Sequence, residues 1–196
     1  MQDYSQHIEA IVKFKKNFNF GGKEDERVPR KLVGNLGEFY VADALVKNGF
    51  DVELKNGQAK CDILVNKTIR VNVKTSFFKD EGKYQDGIKC FGWRIQTKEQ
   101  KNVDNFDFLI GVTLEDSFEK PEFYVFSKKE TVNLQEIKLK KFANILKKID
   151  IFGSIADMEK ALRTDKEAIS GYEDYINRHK EEFLNRWEKI SEFRPF

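Results

Sequence analysis

The residue types with the clearest chemical potential are two carboxylates, an amide and a lysine: Glu38, Asp62, Asn72 and Lys74. Carboxylate and amide oxygens are ligands that Mg²⁺ accepts. A bound divalent cation can activate a water molecule and screen the charge of a phosphate, and a neighbouring lysine can orient that water or stabilise developing charge. The four residues could therefore serve metal-assisted hydrolysis of a phosphodiester bond.

Three of these residues fall on predicted strands. Asp62 begins the segment CDILV, and Asn72 and Lys74 lie two residues apart in TIRVNVKTS. Side chains alternate along a strand, so Asn72 and Lys74 share one face while Val71 and Val73 point to the other. This alternation gathers the polar side chains on one side of the predicted sheet.

The fourth residue, Glu38, lies on a predicted helix. The segment LVGNLGEFYVADALVKNG follows Pro29 and ends at the helix-stop signal Asn48-Gly49. Its apolar stripe consists of Leu32, Leu36, Phe39, Tyr40 and Leu45. Gly34 and Gly37 precede Glu38, and the absence of side chains there would let the helix approach the sheet or a DNA backbone closely. Glu38 could thus point into the same cluster.

The connection between the two predicted strands decides whether the cluster can form. A two-residue turn at Asn66-Lys67 would place Asp62 opposite Val71, on the face away from Lys74. Placing Asp62 opposite Asn72 requires one more residue, either in a three-residue loop over residues 66–68 or in a bulge near Asp62. We therefore predict such a loop or bulge.

The ordered segment GNLGEFYVADALVKNGFDVELKNGQAKCDILVNKTIRVNVKTS resembles the core of the PD-(D/E)xK nuclease superfamily, over about residues 32 to 76. The resemblance implies a restriction endonuclease-like fold, a Mg²⁺ cofactor for which Mn²⁺ can substitute, and metal binding by Asp62, Asn72 and Glu38. It also implies that Lys74 assists the attacking water. The departure is Asn72, a neutral amide where the family usually carries a carboxylate or glutamine, which predicts weaker metal binding unless Glu38 compensates.

The rest of the chain predicts an α/β fold, a central mixed β-sheet flanked by helices with N- and C-terminal helical additions. A short leading helix spans about residues 4–16, and strand patterns cover FDVEL, IKCFGWRIQT, FDFLIGVTL and EFYVFS. From Leu134 onward the periodicity is helical, with a last helix from about Tyr172 to Ile190. We expect a single nuclease domain with its core at about residues 30–130 and a helical appendage at about 134–196.

Composition excludes several classes of protein. The chain has 196 residues, 40% of them hydrophobic and 35% charged, which is too apolar for a disordered chain and too charged for a membrane span. The N-terminus carries no signal-peptide pattern, so we expect a cytoplasmic protein. Cys61 and Cys90 are expected to stay reduced. The net charge of +2 is nearly balanced, so any DNA-binding surface must be a local patch.

Candidate DNA contacts follow the catalytic lysine and continue into the next segment: Thr75, Ser76, Lys79, Lys83, Arg94 and Lys98. Their hydroxyl, ammonium and guanidinium groups could bind phosphates without reading base sequence. Ordinary solvated side chains explain the lysines equally well in a chain with 35 lysines and arginines. The aromatic residues are better explained by core packing than by base stacking.

Three functions fit these patterns. The first is a type II restriction endonuclease, favoured because sequence-specific cutting needs elements outside the core to reach base edges. The second is a Holliday junction resolvase-like or DNA repair nuclease, and the third is a non-catalytic nucleic-acid-binding or protein-binding member of the same fold, supported by Asn72. Double-stranded DNA is the expected partner, and cutting both strands predicts a homodimer.

Overall fold

The computed structural model describes residues 3–17, 29–55, 60–77, 90–94, 105–115, 117–141, 148–152 and 179–194. The helices are α1 (Ser5–Asn17), α2 (Arg30–Lys47), α3 (Lys128–Lys141) and α4 (Glu188–Ser191), with a 3-10 helix at Lys180–Glu182. The strands are β1 (Val52–Leu54), β2 (Ile63–Val65), β3 (Ile69–Phe77), β4 (Cys90–Arg94), β5 (Phe108–Leu114), β6 (Glu122–Ser127) and β7 (Lys148–Phe152). Within these residues, no helix combines the length and the apolar character that a membrane crossing requires.

The central sheet has five strands in the order β1-β2-β3-β5-β6. Strands β1, β2 and β3 form an antiparallel meander, β3 and β5 run parallel, and β6 is antiparallel to β5. Strands β4 and β7 form a separate antiparallel pair. The predicted α/β class, a mixed sheet flanked by helices, is confirmed.

Each face of the sheet carries its own apolar cluster. On one face, α2 buries Leu36, Val41 and Leu45 against residues such as Val71 and Ile110. The opposite face carries an aromatic cluster formed by Trp93, Phe106, Leu109, Tyr124, Phe126, Leu134 and Phe183. The all-buried pattern of β5 follows from this arrangement, because a strand covered on both sides exposes neither set of side chains.

Trp93 of β4 packs directly on the central sheet at Gly111. A Cβ atom at Gly111 would lie 2.6 Å from the Trp93 ring, so only glycine leaves room for the indole. The indole Nε1 donates a buried hydrogen bond of 3.1 Å to the Val112 carbonyl oxygen. The small β4–β7 sheet is anchored to the core in this way.

Part of the predicted C-terminal helical region is a strand. Residues 148–152 form β7, although the periodicity from Leu134 onward predicted helices. Helix α3 itself begins at Lys128, six residues before the predicted start, because Ser127 and Glu130 form a capping box at its N-terminus.

The predicted last helix is also interrupted. Residues 172–178 lie outside the described residues, and residues 180–191 form a 3-10 turn, a stretch of turns with one isolated bridge, and the short α4. Asn185 has a φ of 54°, which ends any helix, and Leu184 forms an antiparallel bridge with Tyr124. The apolar residues of this segment are nevertheless buried, among them Phe183, Trp187 and Ile190. The described part of this segment packs against the core, but residues 180–187 do not form the helix that the periodicity predicted.

The same segment covers the outer edge of β6. Val125 donates a backbone hydrogen bond of 2.8 Å to the Phe183 carbonyl oxygen, and Asn185 donates one of 2.8 Å to the Phe123 carbonyl oxygen. Lys189 adds an ion pair of 2.8 Å with Glu130 at the start of α3. Part of the edge of β6, at Phe123 and Val125, is thereby hydrogen-bonded within the chain.

Candidate functional site

The connection between β2 and β3 is a three-residue loop. Val65 lies opposite Ile69, so Asn66, Lys67 and Thr68 form the connection. Asn66 and Lys67 have φ values of 49° and 64°, the left-handed conformation that such loops require. The predicted extra residue is confirmed, and continuing the register places Asp62 level with Asn72.

Asp62 holds β3 through its backbone and its side chain. Its N–H donates a hydrogen bond of 3.1 Å to the Val71 carbonyl oxygen, and its Oδ2 accepts one of 2.7 Å from the Val73 N–H. The carboxylate oxygen thus accepts a β3 backbone N–H at the point where β2 ends, in place of a backbone carbonyl oxygen of a neighbouring strand. The side chain is fixed at this point, and its other oxygen is not used by that bond.

Beyond Val71, β3 has an open edge on the side of β2. Strand β2 pairs only with residues 69–71, whereas β5 continues alongside residues 71–77 on the other side. Among the described residues no strand pairs with the open edge between Asn72 and Phe77. The predicted site residues Asn72 and Lys74 lie on this part of β3, which pairs with no described strand on the β2 side.

Helix α2 crosses β3 in very close contact. A Cβ atom at Gly37 would lie 1.8 Å from the Thr75 Oγ1, so any side chain there would force the helix and strand apart. The Thr75 hydroxyl is buried beneath the helix, and no hydrogen-bond partner for it is found in the structure as described. This contact fixes the height of the next helix residue, Glu38, above the sheet.

Glu38 is half-buried and its ionisation is strongly perturbed. The pKa of its carboxyl is raised from the ordinary 4.5 to about 7, mainly by burial and also by the neighbouring Asp62 carboxylate, while the Lys74 ammonium acts in the opposite direction. Asp62 and Lys74 are therefore close enough to Glu38 to interact with it electrostatically. The structure therefore brings together a helix residue and residues from two parts of the hairpin.

Asn72 and Lys74 lie on the face opposite α2. In the parallel register they stand beside Leu109 and Gly111 of β5, whereas Val73 and Thr75 face the helix. Glu38 and Lys74 thus approach from different faces and meet across the open edge of β3. Lys74 is half-buried and makes no direct ion pair with a described residue.

The donor set for a metal consists of two carboxylates and one amide. In the described part of the chain no three histidine, cysteine, aspartate or glutamate residues group as a metal site. The oxygen atoms of Glu38, Asp62 and Asn72 are hard ligands, which suits Mg²⁺ or Mn²⁺ better than zinc. The Asp62 carboxylate raises the pKa of Glu38, and a carboxyl group beside a second carboxylate favours a nearby cation.

The other predicted DNA contacts have different outcomes. Thr75 has its hydroxyl buried under α2, so this conformation does not offer it to a phosphate. Ser76 is half-buried near the end of β3, and only the backbone of Arg94, at the end of β4, is described. The predicted contacts outside the described residues are Lys79, Lys83 and Lys98.

An ion pair between Arg70 and Asp107 links the starts of β3 and β5. Sequence analysis did not predict this pair. Asp107, just before β5, accepts hydrogen bonds from the Arg70 backbone N–H at 2.8 Å, from its Nε at 3.1 Å and from its Nη2 at 2.8 Å. These bonds lower the pKa of the Asp107 carboxyl despite its burial. The two residues are 37 positions apart, and no local pattern connects them. They hold β3 and β5 together at the end of the strands away from Lys74.

The fold and this cluster define the class: an α/β protein with a five-stranded mixed sheet and a carboxylate–lysine cluster at an open strand edge. Comparison with protein families and with curated proteins finds no match to this sequence. Among solved structures, the chain is similar to a bacterial homing endonuclease, I-Ssp6803I, with a TM-score of 0.46 and 17% sequence identity. The similarity covers 84% of this chain and 92% of that chain.

Proposed function

We propose that the chain is a magnesium-dependent endonuclease that hydrolyses phosphodiester bonds in double-stranded DNA. One observation supports this proposal above the others: the charges of Asp62 and Lys74 both act on Glu38 at the open edge of β3. An ordinary solvated sheet face would not hold a half-buried carboxyl with a pKa of about 7 beside a second carboxylate.

Each residue of the cluster has a role that its environment permits. Glu38, Asp62 and Asn72 would hold the cation through oxygen atoms. When bound, magnesium supplies positive charge to the phosphate and lowers the pKa of water. Lys74 is free of a direct ion pair with described residues, so its ammonium remains available to orient the water or to stabilise charge on the phosphate.

The test is cleavage of plasmid DNA with magnesium by the wild-type protein and two variants. Asp62→Asn is chosen because its amide oxygen can still accept the Val73 N–H, whereas alanine would leave that group without its partner. We expect Asp62→Asn and Lys74→Ala to reduce the cleavage rate by about 100-fold or more, with unchanged circular dichroism. Unchanged rates in both variants would exclude this site.

A matched control is Glu53→Gln on β1. Glu53 is an exposed carboxylate paired with Lys55, and it lies opposite Leu64 rather than in the cluster. Its loss should leave the cleavage rate within about twofold of wild type, because exposed ion pairs contribute little. A large loss in this control would mean that the decrease reflects general changes in surface charge.

Within the nuclease class we favour a type II restriction endonuclease acting as a homodimer. The central sheet carries α1 before it and further elements after β6, and such additions can read base edges. Sequence-specific cutting would give discrete fragments from a long DNA substrate, whereas a junction resolvase would prefer a four-way junction. Sedimentation of the protein on a two-site duplex would test the dimer.

Asn72 supports one alternative, a DNA-binding protein of the same fold without catalysis. Its neutral amide is a poorer ligand than a carboxylate for a hard cation. That alternative predicts binding of duplex DNA without cleavage in magnesium or manganese. Cleavage abolished by Asp62→Asn would exclude it.

A further inference from the structure

One exposed face of α2 leads directly to the candidate site. Lys31, Gly34, Asn35 and Glu38 lie at helical spacings of three and four residues, so their positions form one row along the helix. Lys31 and Asn35 are exposed, and Glu38 is half-buried where the row reaches β3. The row therefore runs from solvent into the polar cluster.

Gly34 has no internal reason to be glycine. A Cβ atom built at this position meets no atom of the described structure within 4 Å, and Gly34 lies in the interior of an α-helix. Glycine weakens a helix interior relative to alanine. Gly37 differs, because a Cβ atom there would collide with Thr75. As far as the described residues go, the space above Gly34 is thus open on the outer side of the helix, where a ligand could approach.

The charges around Gly34 favour an anionic ligand. Arg30 and Lys31 are exposed, neither has an ion-pair partner among the described residues, and the first turn contains no acidic residue. Pro29 precedes the helix and forms no side-chain cap hydrogen bond, so no side chain of this residue satisfies the first backbone N–H groups. The helix dipole adds partial positive charge at this end.

The direction of α2 places this positive end beyond the C-terminal end of β3. Gly37 lies over Thr75 near that end, whereas the helix terminus near Leu45 bonds Phe50 and leads into β1 at the other end. At 1.5 Å per residue, Lys31 lies about 10 Å from Glu38 along the helix axis, or about three base steps along a DNA strand.

We propose that this α2 face, formed by Lys31, Gly34 and Asn35, binds the phosphate backbone of double-stranded DNA next to the bond that is cut. Lys31 pairs with a phosphate, the Asn35 amide donates to the same strand, and Gly34 lets the backbone lie close against the helix. This inference rests on the proposed function and adds a binding surface to it. The face carries no sequence information, because it contacts phosphates only.

The test separates helix stability from DNA binding by means of Gly34→Ala. The substitution should raise the melting temperature by about 2–4 °C, because alanine is the better helix former and nothing obstructs its methyl group. The same methyl group should weaken binding of a mixed-sequence duplex by about tenfold, because it prevents close approach of the backbone. Binding is measured with EDTA, so that cleavage plays no part.

Lys31→Gln tests the charge, with Lys67→Gln as its control. We expect Lys31→Gln to reduce the slope of log affinity against log salt by about 1 between 50 and 200 mM salt. Lys67 lies in the β2–β3 loop at the opposite end of the hairpin from Lys74, so its replacement should leave the slope unchanged. A similar change of this slope in both variants would mean that the total charge, and not the position of Lys31, determines the salt dependence. The α2 face would then be excluded as the binding surface.

The possible failures are distinguishable. If wild-type protein does not bind the duplex, the proposed function itself is wrong. If wild type binds but Gly34→Ala and Lys31→Gln bind equally well, the nuclease proposal stands and the α2 face is wrong. A lower melting temperature for Gly34→Ala would show that glycine serves internal packing, which also overturns the inference.

Discussion

Replacing Glu38 with glutamine should make the metal-free protein more stable at alkaline pH while it removes activity. The pKa of Glu38 is about 7 in the folded protein and 4.5 at its ordinary value. The folded state therefore binds a proton more tightly than the unfolded state does. Between about pH 4.5 and pH 7 the unfolded state loses this proton while the folded state still holds it, so the free energy of unfolding falls as the pH rises. Above pH 7 the full loss of stability is present.

The magnitude follows from the same shift. At about 1.4 kcal/mol for each pH unit, the change from 4.5 to about 7 corresponds to an upper bound of about 3.5 kcal/mol. Because the Glu38 side chain is only half-buried, solvent screens part of this effect. We expect Glu38→Gln to exceed wild type by about 1–2 kcal/mol near pH 8, and the two proteins to converge near pH 4.5.

The assay is urea unfolding in EDTA at several pH values, with Glu53→Gln as the exposed-carboxylate control. The control should show no comparable gain, because Glu53 is exposed and lies outside the cluster. Magnesium should then reduce or reverse the difference in free energy of unfolding between Glu38→Gln and wild type, because metal binding to the folded state stabilises wild type more than the variant. A Glu38→Gln variant that is as stable as wild type, or less stable, at pH 8 would refute the electrostatic argument.

Three further outcomes follow from the same structure. Asn72→Asp should tighten Mn²⁺ binding by about tenfold, measured by calorimetry, because a carboxylate replaces an amide; unchanged affinity would exclude Asn72 as a ligand. Gly37→Ala should lower the free energy of unfolding by about 2–4 kcal/mol, because its methyl group would overlap Thr75, and a neutral effect would contradict the close crossing. Removing residues 179–194 should cause aggregation before any loss of DNA contact, since the β6 edge loses its cover; a soluble truncated protein would contradict this.

The sequence predicts the central meander well because local rules dominate there. The apolar stripe of α2 and the alternation of β3 each reflect one buried face, and both elements occur as predicted. The three-residue loop was predicted from the requirement that Asp62 reach the level of Asn72, and Asn66 tolerates the left-handed backbone it needs. The geometry of the turn and the chemistry of the candidate cluster thus require the same pairing of β2 with β3.

The C-terminal region was less predictable because tertiary contacts override periodicity. Phe183, Trp187 and Ile190 recur at helical spacing, yet they are buried by a chain that reverses at Asn185 and pairs with β6. The strand β7 has its partner in β4, more than 50 residues earlier, so no local window contains both. The pattern KIDIF shows alternation, but lysine-rich flanks conceal it.

The site was only partly predictable for the same reason. Residue types and order predicted Glu38, Asp62 and Lys74 as a candidate site, but the raised pKa of Glu38 depends on burial beside two charges that are distant in sequence. The alternation of β3 was correct, whereas the position of α2 on the opposite face from Lys74 requires the three-dimensional crossing at Thr75.

The dual use of the Asp62 carboxylate has an evolutionary consequence. One oxygen completes the strand by accepting the Val73 N–H, and asparagine offers an equivalent oxygen for that bond. An Asp62→Asn replacement would therefore remove the proposed metal ligand at little cost to the fold, and position 72, level with it on β3, is already an asparagine. If the proposed function is correct, descendants of this chain could lose cleavage through this single substitution and persist as folded proteins, so that selection for cutting would act continuously on this one side chain.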